Sequence, residues 1–136
     1  MNKPNSTPDY ALEHLLGYDG RVHWLEKGYF LKFEIRRVEP DDRQPHGLRY
    51  SLTLHDSGGQ RIIGFDNAHP VKPQGKFKKK SEAADHWHRT ATDKGVPYQF
   101  IDVETLLDDF FDAVERGLIE RGISMDVLRV EERKTK

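Results

Sequence analysis

The chain has 136 residues, of which 33% are charged, with a formal net charge of -1 and no cysteine. This length accommodates one domain with one core, and the lack of cysteine excludes disulfides and thiolate metal sites. The near-neutral charge excludes polyanion binding through bulk charge alone, and no apolar run approaches the roughly 20 residues of a membrane helix. We therefore expect a cytoplasmic protein that does not associate with membranes.

Alternating and helical patterns of apolar residues predict a single α+β domain over residues 9–130. A polar, proline-containing segment, 1–8, precedes it and is expected to be disordered, and a charged tail, 131–136, follows it. The predicted elements are a helix over 9–16, strands over 21–25, 29–38, 48–55 and 61–66, a helix over 102–122, and a short strand or helix over 123–130. Together they predict a curved, mostly antiparallel sheet of four or five strands with helices packed on one face.

Turn signals at Lys27-Gly28 and Gly58-Gly59 set the register of two predicted hairpins. The predicted cross-strand pairs are Leu54 with Ile63, Leu52 with Phe65, Ser51 with Asp66, Trp24 with Leu31, and Val22 with Phe33. In this register each hairpin has one apolar face and one polar face. The predicted polar face carries Arg36, Arg49, Ser51, Thr53 and Asp66.

Charge is distributed unevenly in the second half of the chain. Six lysines or arginines lie between His69 and Thr90, whereas seven acidic residues lie between Asp102 and Glu120, on the predicted helix. The asymmetry indicates either two surfaces for two different partners, or two solvated stretches that balance each other.

The first of two polar clusters, 65–69 (Phe-Asp-Asn-Ala-His), follows a predicted strand. Asp66 and Asn67 are either turn-forming residues or functional groups presented by a rigid scaffold. The lysine-rich run 76–80 comes soon afterwards. It is either a solvated loop or a loop that binds the phosphates of RNA or DNA.

The second cluster, 85–88 (Asp-His-Trp-His), directs His86 and His88 to the same side if it is extended. These two residues are either ordinary surface histidines or a pair that shares one ligand or metal ion. Trp87 between them either anchors the segment to the core or offers a ring for base stacking. The chain has no nucleotide-binding glycine loop, no serine-nucleophile elbow and no His-Glu-x-x-His pattern, which excludes most common kinase and hydrolase classes.

Four short motifs follow one another along the chain: PHGLRYSL at 45–52, IGFDNAH at 63–69, DHWH at 85–88 and YQF at 98–100. In this order they resemble the TumE family, small bacterial toxins of type II toxin–antitoxin modules, over about residues 22–114. The segment 70–84 is longer and richer in lysine than the link that the family usually has there. The resemblance implies a cytoplasmic toxin, a helix-turn-helix antitoxin encoded beside it, and an activity on RNA.

Cleavage of RNA needs a base for the 2′-hydroxyl, an acid for the leaving 5′-oxygen and cations around the phosphate. Because histidine serves as both acid and base near neutral pH, we expect an endoribonuclease that needs no metal or other cofactor. The expected catalytic residues are Asp66, Asp85, His86 and His88, with one aspartate orienting one imidazole. The expected substrate-binding residues are Arg36, His46, Arg49, Ser51, Asn67, His69 and Lys76.

Two alternatives remain open. One is a metal-dependent nuclease, with a divalent ion held by Asp66, His69, His86 and His88. The other is a protein that binds nucleic acid or a partner without catalysis. In each case an antitoxin is expected to cover the polar sheet face or to contact the acidic helix, and a homo-oligomer is compatible with all of them.

Overall fold

A computed structural model describes residues 10–42, 44–67, 85–90, 92 and 95–133. The fold is α+β, as the sequence predicts. The elements are helices α1 (Tyr10–Leu16) and α2 (Val103–Arg121), and strands β1 (Arg21–Trp24), β2 (Phe30–Arg37), β3 (Leu48–His55), β4 (Arg61–Asp66), β5 (His86–His88), β6 (Val96–Pro97) and β7 (Arg129–Glu132).

Within the described residues, seven strands form one sheet in the order β6-β5-β4-β3-β2-β1-β7, and all neighbours are antiparallel. The prediction of four or five strands in a curved sheet is therefore wrong in its count, and the sheet is open and not curled. The three strands beyond the four predicted over residues 21–66 are only two to four residues long, so an alternating pattern alone does not mark them as strands. The last of them, β7, pairs with β1 and extends into the expected charged tail.

The three predicted pairs of the β3–β4 hairpin are confirmed, but the predicted two-residue turn is wrong. The Asp56 N–H donates to the Gln60 carbonyl at 3.0 Å and His55 stands opposite Arg61, so the turn has three residues, and a bulge between Leu54 and His55 restores the predicted register. The observed pairs are Leu54 with Ile63, Leu52 with Phe65, and Ser51 with Asp66. The alternation of side chains therefore places Asp66 and Ser51 on the same face of the sheet.

The β1–β2 hairpin differs from the prediction by one residue. Trp24 pairs with Phe30, and His23 pairs with Leu31. The cause is a loop of three residues, Glu26–Gly28, which is closed by a hydrogen bond from the Leu25 N–H to the Tyr29 carbonyl at 2.8 Å. The slip moves Trp24 to the polar face of the sheet and His23 to the apolar face.

Both helices pack on the apolar face of the sheet. In α2 the side chains of Leu106, Phe110, Val114 and Leu118 are buried in the core. Gly117 lets the helix approach β4, since a β-carbon there would come within 2.6 Å of Cδ1 of Ile63. The helix begins after Asp102, whose carboxylate accepts a hydrogen bond from the Thr105 N–H at 2.7 Å, and ends at Gly122, which confirms both predicted boundaries.

No helix in the described part of the chain covers the second face of the sheet, which we call the outer face. Its side chains in the central strands come from Lys32, Glu34, Arg36, Arg49, Ser51, Thr53, Asp66, His86 and His88. None of the described helices has the length and apolar character needed to cross a membrane.

Candidate functional site

The outer face brings Asp66 of β4 and His88 of β5 together. Nε2 of His88 lies 3.2 Å from Oδ2 of Asp66, and the two side chains are 14% and 13% exposed. The pair is diagonal across the two strands, because Asp66 stands opposite His86 while His88 stands opposite Gly64. An aspartate carboxylate thus orients one imidazole on the outer face of the sheet.

Further polar groups surround this pair in a regular grid. Ser51 and His86 stand directly opposite Asp66 on the two neighbouring strands. Arg36 and Arg49 stand opposite each other in the next row of side chains. This row lies about 7 Å along the strands from the row of Ser51, Asp66 and His86. Like charges directly opposite each other destabilise a sheet, and a buried Nε of Arg49 has no hydrogen-bond partner among the described residues. An anion bound between the two guanidinium groups would relieve both costs.

Gly95 sets the position of the His88 ring. It has a φ of +103°, and a β-carbon there would lie 2.7 Å from Cε1 of His88. The glycine therefore permits a contact with the imidazole that no other residue could make. No pattern in the sequence points to this role, because the motif at 85–88 lies several residues earlier.

Asp85 lies in a buried hydrogen-bond network, with 3% of its surface exposed. Its Oδ2 accepts a hydrogen bond from the Tyr50 hydroxyl at 2.6 Å and lies 3.0 Å from Nε2 of His46. The Leu48 N–H donates to Nδ1 of His46 at 3.1 Å, so Nε2 carries the proton and donates to Asp85. Phe100 covers the imidazole, with ring centroids 4.1 Å apart. Both nitrogens of His46 are therefore engaged inside the fold.

The structure brings Asp85 to His46 and Tyr50, and not to the histidines that follow it in the sequence. The Tyr50 side chain belongs to the core on the helix side of the sheet, whereas His86 and His88 lie on the outer face. His86 is buried there, with 6% of its surface exposed. Burial, and then the neighbouring carboxylate of Asp85, raises the pKa of Tyr50 well above its ordinary value. The hydroxyl therefore stays protonated and continues to donate its hydrogen bond.

Two neighbours of the site contribute to the scaffold. Trp87 stacks on Phe65 with ring centroids 5.4 Å apart, so of its two expected roles it has the anchoring one. Asn67 is buried, and its amide accepts a hydrogen bond from the Tyr50 N–H at 2.9 Å and donates one to the Leu48 carbonyl at 2.8 Å. Asn67 thereby extends the pairing of β3 and β4 beyond Asp66.

An aromatic row occupies the opposite end of the outer face. Trp24, Phe30 and His55 are neighbours on three adjacent strands, with ring centroids 4.8 Å and 4.6 Å apart. Arg129 of β7 lies over Trp24, 5.4 Å from the ring centroid. Burial lowers the pKa of His55, which favours its neutral form. The sequence-based register misses this row because it puts Trp24 on the apolar face.

The remaining expected site residues, His69 and Lys76, lie outside the described residues. In the part of the chain that the structure describes, no group of three or more His, Asp or Glu side chains is placed to hold a metal ion. The alternative metal site includes His69 and stays a prediction.

Comparisons with known proteins identify the family. Neither the curated proteins nor the solved structures contain a significant match to this chain. A family model described as Toxin TumE matches residues 9–118. The matched segment contains helix α1, strands β1 to β6 and most of helix α2. The chain therefore belongs to the TumE toxin family.

Proposed function

We propose that this toxin is the cytoplasmic effector of a type II toxin–antitoxin module and that it cleaves RNA without a metal ion. The carboxylate–imidazole pair of Asp66 and His88 carries this proposal. It lies on a sheet face that no described helix covers, beside a second histidine and two arginines. Membership of the TumE family supports the role as a toxin.

In the proposed reaction, His88 takes the proton from a ribose 2′-hydroxyl, and the 2′-oxygen attacks the adjacent phosphorus. Asp66 stabilises the imidazolium that forms, as a carboxylate does in other acid–base pairs. His86 gives a proton to the 5′-oxygen as the bond between phosphorus and that oxygen breaks. The products are a 2′,3′-cyclic phosphate and a free 5′-hydroxyl.

Arg36 and Arg49 are the proposed phosphate-binding groups. They stand opposite each other on β2 and β3, and guanidinium groups bind phosphate through paired hydrogen bonds. Ser51 lies in the same row as Asp66 and His86, next to the row of the two arginines, and is proposed to bind a neighbouring ribose or phosphate oxygen. The negative charge of the phosphate offsets the repulsion between the two arginines. In turn, the two guanidinium groups stabilise the additional negative charge that develops on the phosphorane.

The test compares wild type with Asp66→Asn and His88→Gln, with exposed His14→Gln as the matched control. Purified proteins are incubated with single-stranded RNA in EDTA, and the product ends are mapped. We expect both site variants to lose about 10²- to 10⁴-fold in cleavage rate, while the control keeps its rate. Undiminished cleavage by a folded His88→Gln protein contradicts the mechanism. Activity that EDTA abolishes and Mn²⁺ restores favours the metal alternative.

A second candidate function is RNA binding without catalysis, and the aromatic row of Trp24, Phe30 and His55 favours it. Aromatic side chains on a sheet face bind unpaired bases by stacking. If the protein binds RNA without cleaving it, the wild type produces no cleavage products. Trp24→Ala then lowers the affinity for RNA, whereas Asp66→Asn keeps the wild-type affinity. A fluorescence titration with a labelled single strand separates the two functions.

We also propose that a helix-turn-helix antitoxin encoded beside this gene inhibits the toxin by covering the outer face. α2 lies on the other side of the sheet, and its exposed acidic residues, among them Glu104, Asp108 and Asp112, offer a second, separate surface for a basic segment of that partner. Co-expression with the product of the adjacent reading frame, followed by an RNA cleavage assay of the purified complex, tests this inhibition.

A further inference from the structure

The two edges of the described sheet differ in how readily they accept another strand. β6 has only two residues and ends with Pro97, which has no N–H to offer a neighbouring strand. β7, at the other edge, has four residues, all of them exposed and none of them proline. Because an exposed edge strand presents unpaired backbone groups, β7 is the open edge of this sheet.

Exposed apolar side chains gather around this open edge. Four of the seven large hydrophobic residues that are exposed in the described part of the chain are Met125, Val127, Leu128 and Val130. Leu128 and Val130 are 65% and 47% exposed, and Val130 stands opposite His23, on the helix side of the sheet. Such a concentration of apolar surface indicates a contact with another molecule.

The backbone of β7 shows which of its groups face outward. The Arg133 N–H donates to the Gly20 carbonyl at 2.7 Å, in the same register that pairs Arg21 with Glu132. Since hydrogen-bonding positions alternate along an antiparallel ladder, Glu131 and Arg129 direct their backbone groups towards β1. Val130 and Glu132 direct theirs away from the sheet, where a further strand can bind them.

The side chains of β7 are complementary to those of a second copy of β7. In a twofold antiparallel pair, residues that stand opposite each other must share a face. Centring the pair on Val130 places each Arg129 opposite Glu131 of the other copy, and Val130 opposite itself. Centring it on Arg129 or Glu131 places a charge opposite an identical charge, which is destabilising.

We propose that the toxin forms a twofold-symmetric dimer in which the β7 strands of two copies pair about Val130. The seven-stranded sheets of both copies then join into one continuous sheet, with a common outer face. The exposed side chains of Val130 from both copies meet on the helix side of the joined sheet. Arg129, which lies 3.6 Å from Glu131 of its own strand, gains a second carboxylate partner across the dimer axis.

Sedimentation velocity of the full chain over a range of concentrations tests the dimer. Val130→Pro removes an N–H that points away from β1, so it leaves the fold intact but abolishes the dimer. Arg129→Glu weakens dimerisation about tenfold, since it places a second carboxylate opposite Glu131 in both symmetric pairs. The double variant Arg129→Glu/Glu131→Arg restores the wild-type dimer, because the opposite charges are exchanged. Glu104→Lys, on an exposed position of α2, is the matched control and remains dimeric.

A wild-type chain that is monomeric at every concentration overturns the proposal, as does a dimer that Val130→Pro leaves intact. Failure of the double charge exchange to restore the dimer also contradicts the proposed register. If the wild type is monomeric and Val130→Pro instead abolishes binding of the antitoxin, the edge belongs to that partner and the dimer is excluded. Circular dichroism of each variant confirms that loss of association does not come from loss of fold.

Discussion

Gly95 and His88 are in direct contact: a β-carbon at position 95 would come within 2.7 Å of Cε1 of the imidazole. Nε2 of the same ring faces Asp66 at 3.2 Å. The ring is therefore held between a backbone on one side and a carboxylate on the other. Any side chain larger than hydrogen at position 95 must displace the imidazole from Asp66 or move the strand that carries it.

We expect Gly95→Ala to lose at least about tenfold in toxicity and RNA cleavage, because displacing His88 breaks its pairing with Asp66. Gly59→Ala is the matched control, since Gly59 also has a positive φ, +87°, but a β-carbon there would meet no atom within 4 Å. Both variants carry a similar backbone cost of roughly 1–2 kcal/mol. Growth inhibition after induced expression and cleavage by the purified proteins are measured for each. Equal activity of the two variants contradicts the role of Gly95.

Tyr50→Phe is expected to lower the free energy of unfolding by about 1–3 kcal/mol, because it removes one donor from a buried carboxylate. The hydroxyl in question donates to Asp85 at 2.6 Å. Tyr98→Phe is the matched comparison, as its hydroxyl donates to Asp109 at 2.7 Å in a less buried place. Urea unfolding followed by fluorescence measures both. If Tyr98→Phe lowers the free energy of unfolding as much as Tyr50→Phe does, the Asp85 network makes no special contribution to stability.

Stability is expected to fall as the pH drops below 6.5, with His23 as one cause. Burial, and then the charge of Arg21, lowers the pKa of His23 from its ordinary value of 6.5. Below pH 6.5 the unfolded chain therefore binds a proton that the folded state does not yet bind, which favours unfolding until the pH reaches the folded pKa. Above pH 6.5 the ring is neutral in both states, and this contribution vanishes.

The corresponding variant is His23→Phe, which suits a ring that packs 4.8 Å from Phe33. We expect it to reduce the difference in melting temperature between about pH 7.5 and about pH 5.5. Thermal unfolding followed by circular dichroism at the two pH values provides the measurement. A pH dependence equal to that of the wild type shows that His23 is not a source of the effect.

Gly117→Ala is expected to destabilise the fold by about 1–3 kcal/mol, because it overpacks the contact between α2 and β4. The new β-carbon would lie 2.6 Å from Cδ1 of Ile63. Ile63→Val removes that methyl group, so the double variant should recover most of the loss and add the helix propensity of alanine, about 1 kcal/mol. A double-mutant cycle in urea measures the coupling. Additive effects of the two substitutions contradict a direct clash.

The sequence predicts the fold best where local signals agree. In β3 and β4, strict alternation predicts the correct pairing of Ser51 with Asp66, although the turn has three residues and not the predicted two, because the bulge between Leu54 and His55 compensates for the extra residue. In the first hairpin the turn has three residues and contains Lys27 with a φ of 59°. A lysine seldom adopts this left-handed conformation, so the sequence carries no signal for the one-residue slip.

Part of the site can also be read from the sequence, and part cannot. Alternation at residues 85–88 predicts that His86 and His88 share a face, and the structure places both on the outer face. The same alternation implies that Asp85 points the other way. Its partner His46, however, is 39 positions away, and no local pattern reports a contact between such distant segments. The role of Gly95 is missed for a different reason: it comes from packing against His88 and not from any chemical group of the glycine itself.

The Asp85 network also has a consequence for the order in which the toxin becomes active. Asp85 joins Tyr50 and His46, which are synthesised 35 and 39 residues earlier, and contacts over such separations form after local hairpins. A chain that has made only the β3–β4 hairpin presents Asp66 without an oriented His88. On the proposed mechanism, newly synthesised and partly folded chains are therefore expected to be inactive until β5 has joined the sheet.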